Sequence, residues 1–171
     1  YNILRDSEGF YYVFCKLEEI DTVPKFTPDS EKRRRDLEEY EKRHRQLPFL
    51  MSPMITNGAL AIELAFKFLI FKENLEFECE HKLDILFLQL PQKYGDELRT
   101  KIYEQIHQNE ESLMKNLNQI SNLFVEARYS FERDTIGYSN LFTDLVHLVC
   151  DYVIDMKKEY IHEEDDILAD D

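Results

Sequence analysis

The stretch "NGALAIELAFKFLIF", Asn57 to Phe71, decides the fold. Its apolar residues fall on every side of a helix rather than along one stripe. Such a helix belongs in the middle of a packed structure. Two ionisable residues interrupt it, Glu63 and Lys67, four apart with the acid first, the favoured order for an ion pair along a helix. An exposed pair of this kind adds about 0.3–0.5 kcal/mol, and a buried one is often no better than two leucines. Stability therefore explains the two residues poorly if they are buried. They are expected to line the helix's one polar edge or to face an interface. The plainer alternative is a partly exposed salt bridge.

This central helix is expected over about Pro53 to Lys72, and the neighbouring sequence supplies partners for it. "HKLDILFLQLP" from His81 reads as a short helix closed by Pro91, and "GDELRTKIYEQIHQ" as another with Asp96 near its start. From Asn109 to about Glu132, residues Leu113, Leu117, Ile120, Phe124, Ala127 and Phe131 alternate threes and fours along one face, the signature of an amphipathic helix. Gly137 breaks the chain. A last long helix is expected from about Tyr138 to Tyr160, with Leu141, Leu145, Leu148, Tyr152 and Met156 facing inward. The tail "HEEDDILADD" is acidic and is expected to fray. On the N-terminal side, "TPDSEKRRRDLEEYEKRHRQL" reads as an exposed helix with Thr27 as N-cap and Pro28 at its first position.

Residues 1–14, "YNILRDSEGFYYVF", are read as a short β-hairpin. Two apolar runs flank "DSEG", where Gly9 can take a positive φ. The competing reading is a helix through "FYYVFCKLEEI". The expected organisation is an N-terminal extension (1–27), an all-α bundle (28–161) and the acidic tail (162–171). With 171 residues and only 4 Gly and 5 Pro, one helical domain with a full core fits.

The formal net charge is -14, which opposes generic binding to phosphate backbones. It is unevenly spread. Residues 1–50 carry 10 Lys+Arg against 11 Asp+Glu, and residues 51–171 carry 11 against 24. The apolar stretch 59–71 is short for a membrane span and is interrupted by Glu63 and Lys67. No signal-peptide pattern is seen at the start. Cys15, Cys79 and Cys150 are widely spaced without a Cys-x-x-Cys pair, which reads as reduced and cytoplasmic. The first residue is Tyr1, so the chain is expected to be a fragment or a trimmed piece.

Three segments in order, "SPMITNGALAIELAFKFLIF", "EHKLDILFLQLP" and "NLFVEARYSFE", resemble the HEPN superfamily, the higher-eukaryote and prokaryote nucleotide-binding domains. The matching residues are Asn57, Ala61 to Leu64 and Lys67 in the first, His81 and Leu83 in the second, and Phe124, Arg128, Tyr129 and Glu132 in the third. The resemblance covers about 53–160. It implies a four- to five-helix bundle, usually a homodimer, often in bacterial defence or toxin–antitoxin systems. Many members are metal-independent ribonucleases whose active site is an Arg and a His with four to six residues between. Here the spacing is absent. Arg99 to His107 has seven between, Arg35 to His44 has eight, and Arg128 is followed by "YSFERDTI".

The resemblance and the charge together imply a non-catalytic dimeric module that binds a protein or nucleotide partner without metal or cofactor. Asn57, Glu63, Lys67 and Tyr129 would form its polar pocket or dimer face. The alternative is a divergent ribonuclease in which Arg128 stabilises the scissile phosphate, with Glu132, His81 or Tyr129 as acid or base. Plainer readings stand beside these. Arg128 and Glu132 are spaced for an intrahelical ion pair, and His81 for a local hydrogen bond at a helix start. His147, between Asp144 and Asp151, reads as part of a solvated face rather than a cation site. The basic run Lys32 to Arg35 with Lys42, Arg43 and Arg45 is interleaved with acids, which favours a self-paired solvent face over RNA binding.

Overall fold

The computed structural model describes residues 2–20, 29–46, 50–73, 80–128 and 140–169, with side chains except at 43–46, 126–128 and 158–169. Among these residues the chain is all helix: α1 (Asn2–Ile20), α2 (Ser30–Gln46), α3 (Met51–Lys72), α4 (Leu83–Leu88), α5 (Gln92–Ile106), α6 (Glu110–Arg128) and α7 (Asn140–Ala169). The stretch that is apolar all round sits in the middle as α3. It packs against α1, α4, α6 and α7, while α5 completes the bundle against α7 and α4 rests on α6. Met54, Ile55, Ala61, Ile62, Ala65, Phe66 and Leu69 on α3 are wholly buried. Among the described residues α3 is also the one helix long and apolar enough to cross a membrane, because the helix outruns the apolar stretch at both ends. In its most apolar window 67% is buried inside the bundle, the state of a core helix.

The expected threes-and-fours hold where they are described. Leu113, Leu117 and Ile120 of α6 are buried, as are Leu145 and Leu148 of α7. α7 buries a broader face than expected, adding Phe142, Val146, Val149 and Val153, because it contacts α1, α3 and α5. It also runs on through most of the acidic tail to Ala169. Helix α2 is exposed, as its composition requires, and none of its described side chains is buried. Its cap is Asp29 rather than Thr27: Asp29 Oδ1 accepts the backbone N–H groups of Glu31 and Lys32 at 3.0 and 3.1 Å. Thr27 and Pro28 lie outside the described residues.

The N-terminal hairpin is corrected: residues 2–20 are helix α1. Leu4, Ser7 and Phe14 are buried, at the three- and seven-residue steps of a helix face rather than the alternation of a strand. "DSEG" looked like a turn because Gly9 tolerates one. No glycine in the described residues takes a positive φ, and a Cβ at Gly9 would meet nothing within 4 Å. Gly9 is thus a solvent-side helical residue. Ser7, polar and two residues before it, turns inward and donates Oγ–H to the carbonyl of Ala61 at 2.9 Å. This bond joins α1 to α3 as part of one packed unit.

Three helices, α1, α3 and α7, meet at Gly58. A Cβ there would stand 2.7 Å from Phe142 Cζ and 3.0 Å from both Phe14 Cδ2 and Val146 Cγ2. Phe14 and Phe142 meet edge-on with ring centroids 5.9 Å apart, so neither ring can retreat without losing the other. Two glycines therefore carry opposite expectations in urea denaturation. Gly58→Ala should destabilise by about 1–3 kcal/mol through overpacking. Gly9→Ala should stabilise by about 0.5–1 kcal/mol, the helix-propensity difference at an open site.

Candidate functional site

Glu63 and Lys67 are both buried, at 5% and 8% exposure. Both lie on α3, and the helix's own geometry brings the Lys67 ammonium to 2.7 Å from Glu63 Oε1. The same oxygen meets His81 Nδ1 at 2.9 Å. His81 comes from the connector before α4, so the Glu63 carboxylate ties that connector to the central helix. The His81 side chain is 67% exposed, and with Nδ1 held on Glu63 the other face of the ring meets solvent. The three groups form one cluster with the acid at its hub, a lysine beneath and a histidine at the rim.

The connector is fixed at further points. Glu80 Oε1 accepts the backbone N–H groups of His81 and Lys82, each at 2.8 Å. The N–H of Leu83, the first residue of α4, donates to Ser121 Oγ at 2.9 Å, and Ser121 donates onward to the carbonyl of Leu117 at 3.0 Å. A helix start needs partners for its free N–H groups, and here a serine on α6 supplies one from outside the chain's local sequence. Asp84 Oδ2 accepts from Asn118 at 3.1 Å, while Asp84 Oδ1 is buried with no partner among the described residues.

Beside this cluster lies a cavity of about 320 Å³ lined by Leu60, Glu63, His81, Lys82, Ser121, Asn122, Phe124 and Val125. Its walls come from α3, α6 and the connector before α4. Leu60, Phe124 and Val125 make it mostly apolar, and Glu63, His81 and Asn122 give it one polar side. Val125 is 47% exposed, so the cavity opens on the surface.

Of the residues singled out in the sequence, Glu63, Lys67 and His81 are therefore brought together. Asn57 is not. It stands six residues before Glu63, about 240° round the helix at 3.6 residues per turn, and its Nδ2 donates to the carbonyl of Pro53 at 2.7 Å. Arg128 is the last residue of α6, one turn beyond Phe124 of the cavity wall. Tyr129 and Glu132 lie outside the described residues, so the expected Arg128–Glu132 pair does as well. Arg99, which has the spacing nearest to the ribonuclease pattern, is engaged in the fold. It donates to Asp96 and Glu110 at 3.2 and 3.3 Å and lies 5.1 Å from the centre of the Phe87 ring. Its histidine, His107, closes α5 in a left-handed conformation with φ 57.

The reading of His147 as a solvated residue is corrected. Its Nδ1 lies 2.7 Å from the Tyr11 hydroxyl and its Nε2 2.8 Å from Glu18 Oε2. Tyr11 and Glu18 come from α1, more than a hundred residues away, so the local pattern of Asp144, His147 and Asp151 gave no sign of them. Among the described residues no group of three His, Cys, Asp or Glu is arranged to hold a metal ion. Cys79, considered with His81, lies outside them.

Compared with models of known protein families, with curated proteins and with solved structures, the chain gives no match.

Two outcomes follow from the cluster. Lys67→Met alone leaves the buried Glu63 carboxylate without its cation and should cost about 3–5 kcal/mol. Lys67→Met with Glu63→Leu should recover most of that loss, read as a double-mutant cycle in urea. The second concerns Glu80, whose carboxyl is held below its ordinary value by the backbone N–H of Lys82 and then that of His81. A depressed folded-state value means its contribution is present above the unfolded value of about 4.3 and is lost as pH falls through the folded one. Glu80→Gln should therefore make the acid limb of thermal melting shallower. The effect should be small, because Glu80 is only partly buried.

Proposed function

We propose that the chain is a non-catalytic HEPN-like module that dimerises and binds a protein or nucleotide partner through the surface around Glu63, His81 and the adjoining cavity. Service in a bacterial defence or toxin–antitoxin system is the setting the resemblance suggests. One observation carries the reading. The nitrogen groups at the centre of the site are turned onto the protein's own carboxylate, with Lys67 Nζ and His81 Nδ1 both on Glu63 Oε1. A site that stabilises a phosphoryl transition state needs cations aimed at the substrate. Here the open part of the site is instead a mostly apolar cavity with Phe124 and Val125 in its wall. Such a concavity suits an apolar side chain or a flat ring. The net charge of -14 weighs against RNA and leaves a protein partner the better fit. The two-fold face of the dimer belongs on this same edge, where Val125 is exposed.

A divergent ribonuclease is the second reading, and His81 favours it. With Nδ1 held by a carboxylate and the ring exposed, Nε2 is available to move a proton, the arrangement of a carboxylate-oriented general base. Arg128 lies at the end of α6, one turn past the cavity.

RNA cleavage at low salt with chelator separates the two, using the purified protein beside His81→Ala and Arg128→Ala. Under the binding-module reading, none of the three cuts above the buffer rate. Cleavage by the wild type that both variants lose would replace it with the ribonuclease. Light scattering should also give a dimer mass for the wild type. Val125→Asp, which sets a charge in the cavity wall, should shift it toward monomer.

A further inference from the structure

His147 sits between α1 and α7 in a chain of short contacts whose protons can be counted. The Tyr11 hydroxyl donates to Asp151 Oδ1 at 2.8 Å. It also lies 2.7 Å from His147 Nδ1, and His147 Nε2 lies 2.8 Å from Glu18 Oε2. Ionised Glu18 and Asp151 only accept hydrogen bonds. Nε2 must therefore carry a proton to reach Glu18. The single phenolic proton of Tyr11 goes to Asp151, so Nδ1 must carry a proton to reach the Tyr11 oxygen. All three contacts are hydrogen bonds only when both ring nitrogens are protonated. A neutral imidazole has one N–H, and one contact then sets two lone pairs against each other.

Tyr11 does not resolve the shortage by ionising. Burial first, and then its hydrogen bond to Asp151, hold its phenol far above the ordinary value. The ring of His147 cannot easily turn away either. It is packed edge-on against Tyr11 and Phe14, each with centroids 5.6 Å away. The charged and titratable groups around it are Tyr11, Cys15 and Glu18 from α1, Asp144 and Asp151 from α7, and Lys101 from α5, which lines the same surface cavity as His147, Asp144 and Asp151. Acids outnumber bases here. Removing the imidazolium withdraws a positive charge from between Glu18 on one side of the ring and the Tyr11–Asp151 pair on the other.

We propose that His147 is a proton-operated latch: its second proton fastens the C-terminal half of α1, from Tyr11 to Ile20, onto α7, and its loss loosens that half. The N-terminal half keeps its hold through Leu4 and the Ser7–Ala61 bond, and Phe14 stays packed against Phe142, so the change is local.

Amide hydrogen exchange between about pH 5.5 and 8.5, corrected for intrinsic rates, tests this in the whole chain, with α3 as internal reference. A hydrogen bond to a charged group contributes about 1.5–3 kcal/mol. Protection of residues 11–20 relative to α3 should therefore fall at least about tenfold as pH rises, and His147→Gln should give a flat profile. A flat wild-type profile, or the same slope in His147→Gln, overturns the latch. If that variant does not fold, the ring 15N spectrum of the wild type decides. Protons on both nitrogens at the pH where α1 is protected support the latch. A lone pair on either nitrogen at that pH overturns it.

Discussion

A helix that is apolar on every side has to be surrounded, and most of this structure follows from surrounding α3. No single neighbour can cover a full cylinder, so α1, α4, α6 and α7 all lie against it. At Gly58 the absence of a side chain admits Phe14 from α1 and Phe142 and Val146 from α7. Close packing of this kind leaves no spare volume, which is why one methyl group counts there. It also explains why α1 belongs to the bundle. Without α1, Phe14 would be exposed and one side of α3 would face water.

Enclosure creates a difficulty at Glu63 and Lys67. A carboxylate and an ammonium inside a core must find partners or lose their charge. The two neutralise each other along the helix, and the carboxylate takes His81 as well. That third bond is the informative one, because an i,i+4 pair would have been sufficient for charge. By reaching His81, Glu63 fixes the connector ahead of α4, and with it the mouth of the cavity between α3 and α6. The same oxygen thus serves the interior of the fold and the shape of its surface.

How much of this could be read in the sequence depended on the distance between partners. Helix positions were legible wherever apolar residues kept the helical period, as at Leu113, Leu117 and Ile120. The Glu63–Lys67 pair was legible because both residues lie on one helix. The joining of Glu63 to His81 was not, since the two lie on different elements eighteen residues apart. α1 was misread because "DSEG" has the composition of a turn. The mark of a helix, that Ser7 faces inward and Gly9 outward, exists only once α3 is in place. Asp29 took the cap from Thr27 for a local reason: it stands immediately before the first residue of α2, where its carboxylate reaches two N–H groups.

The two histidines that carry the functional readings show the same limit from opposite sides. Each is held by a glutamate on another element, His81 by Glu63 and His147 by Glu18. The glutamate of His81 is buried and already balanced by Lys67, and His81 has its second nitrogen turned toward solvent. It can therefore meet an outside group without disturbing the fold. Both nitrogens of His147 are bound inside the protein, one by Glu18 and one by the Tyr11 hydroxyl that also meets Asp151. A change of proton there has to be met by movement of the helices themselves. The sequence alone, with an acid or a helix start near each histidine, gives no ground for separating a residue that can serve a ligand from one that can only serve the fold. The count of engaged ring nitrogens does separate them.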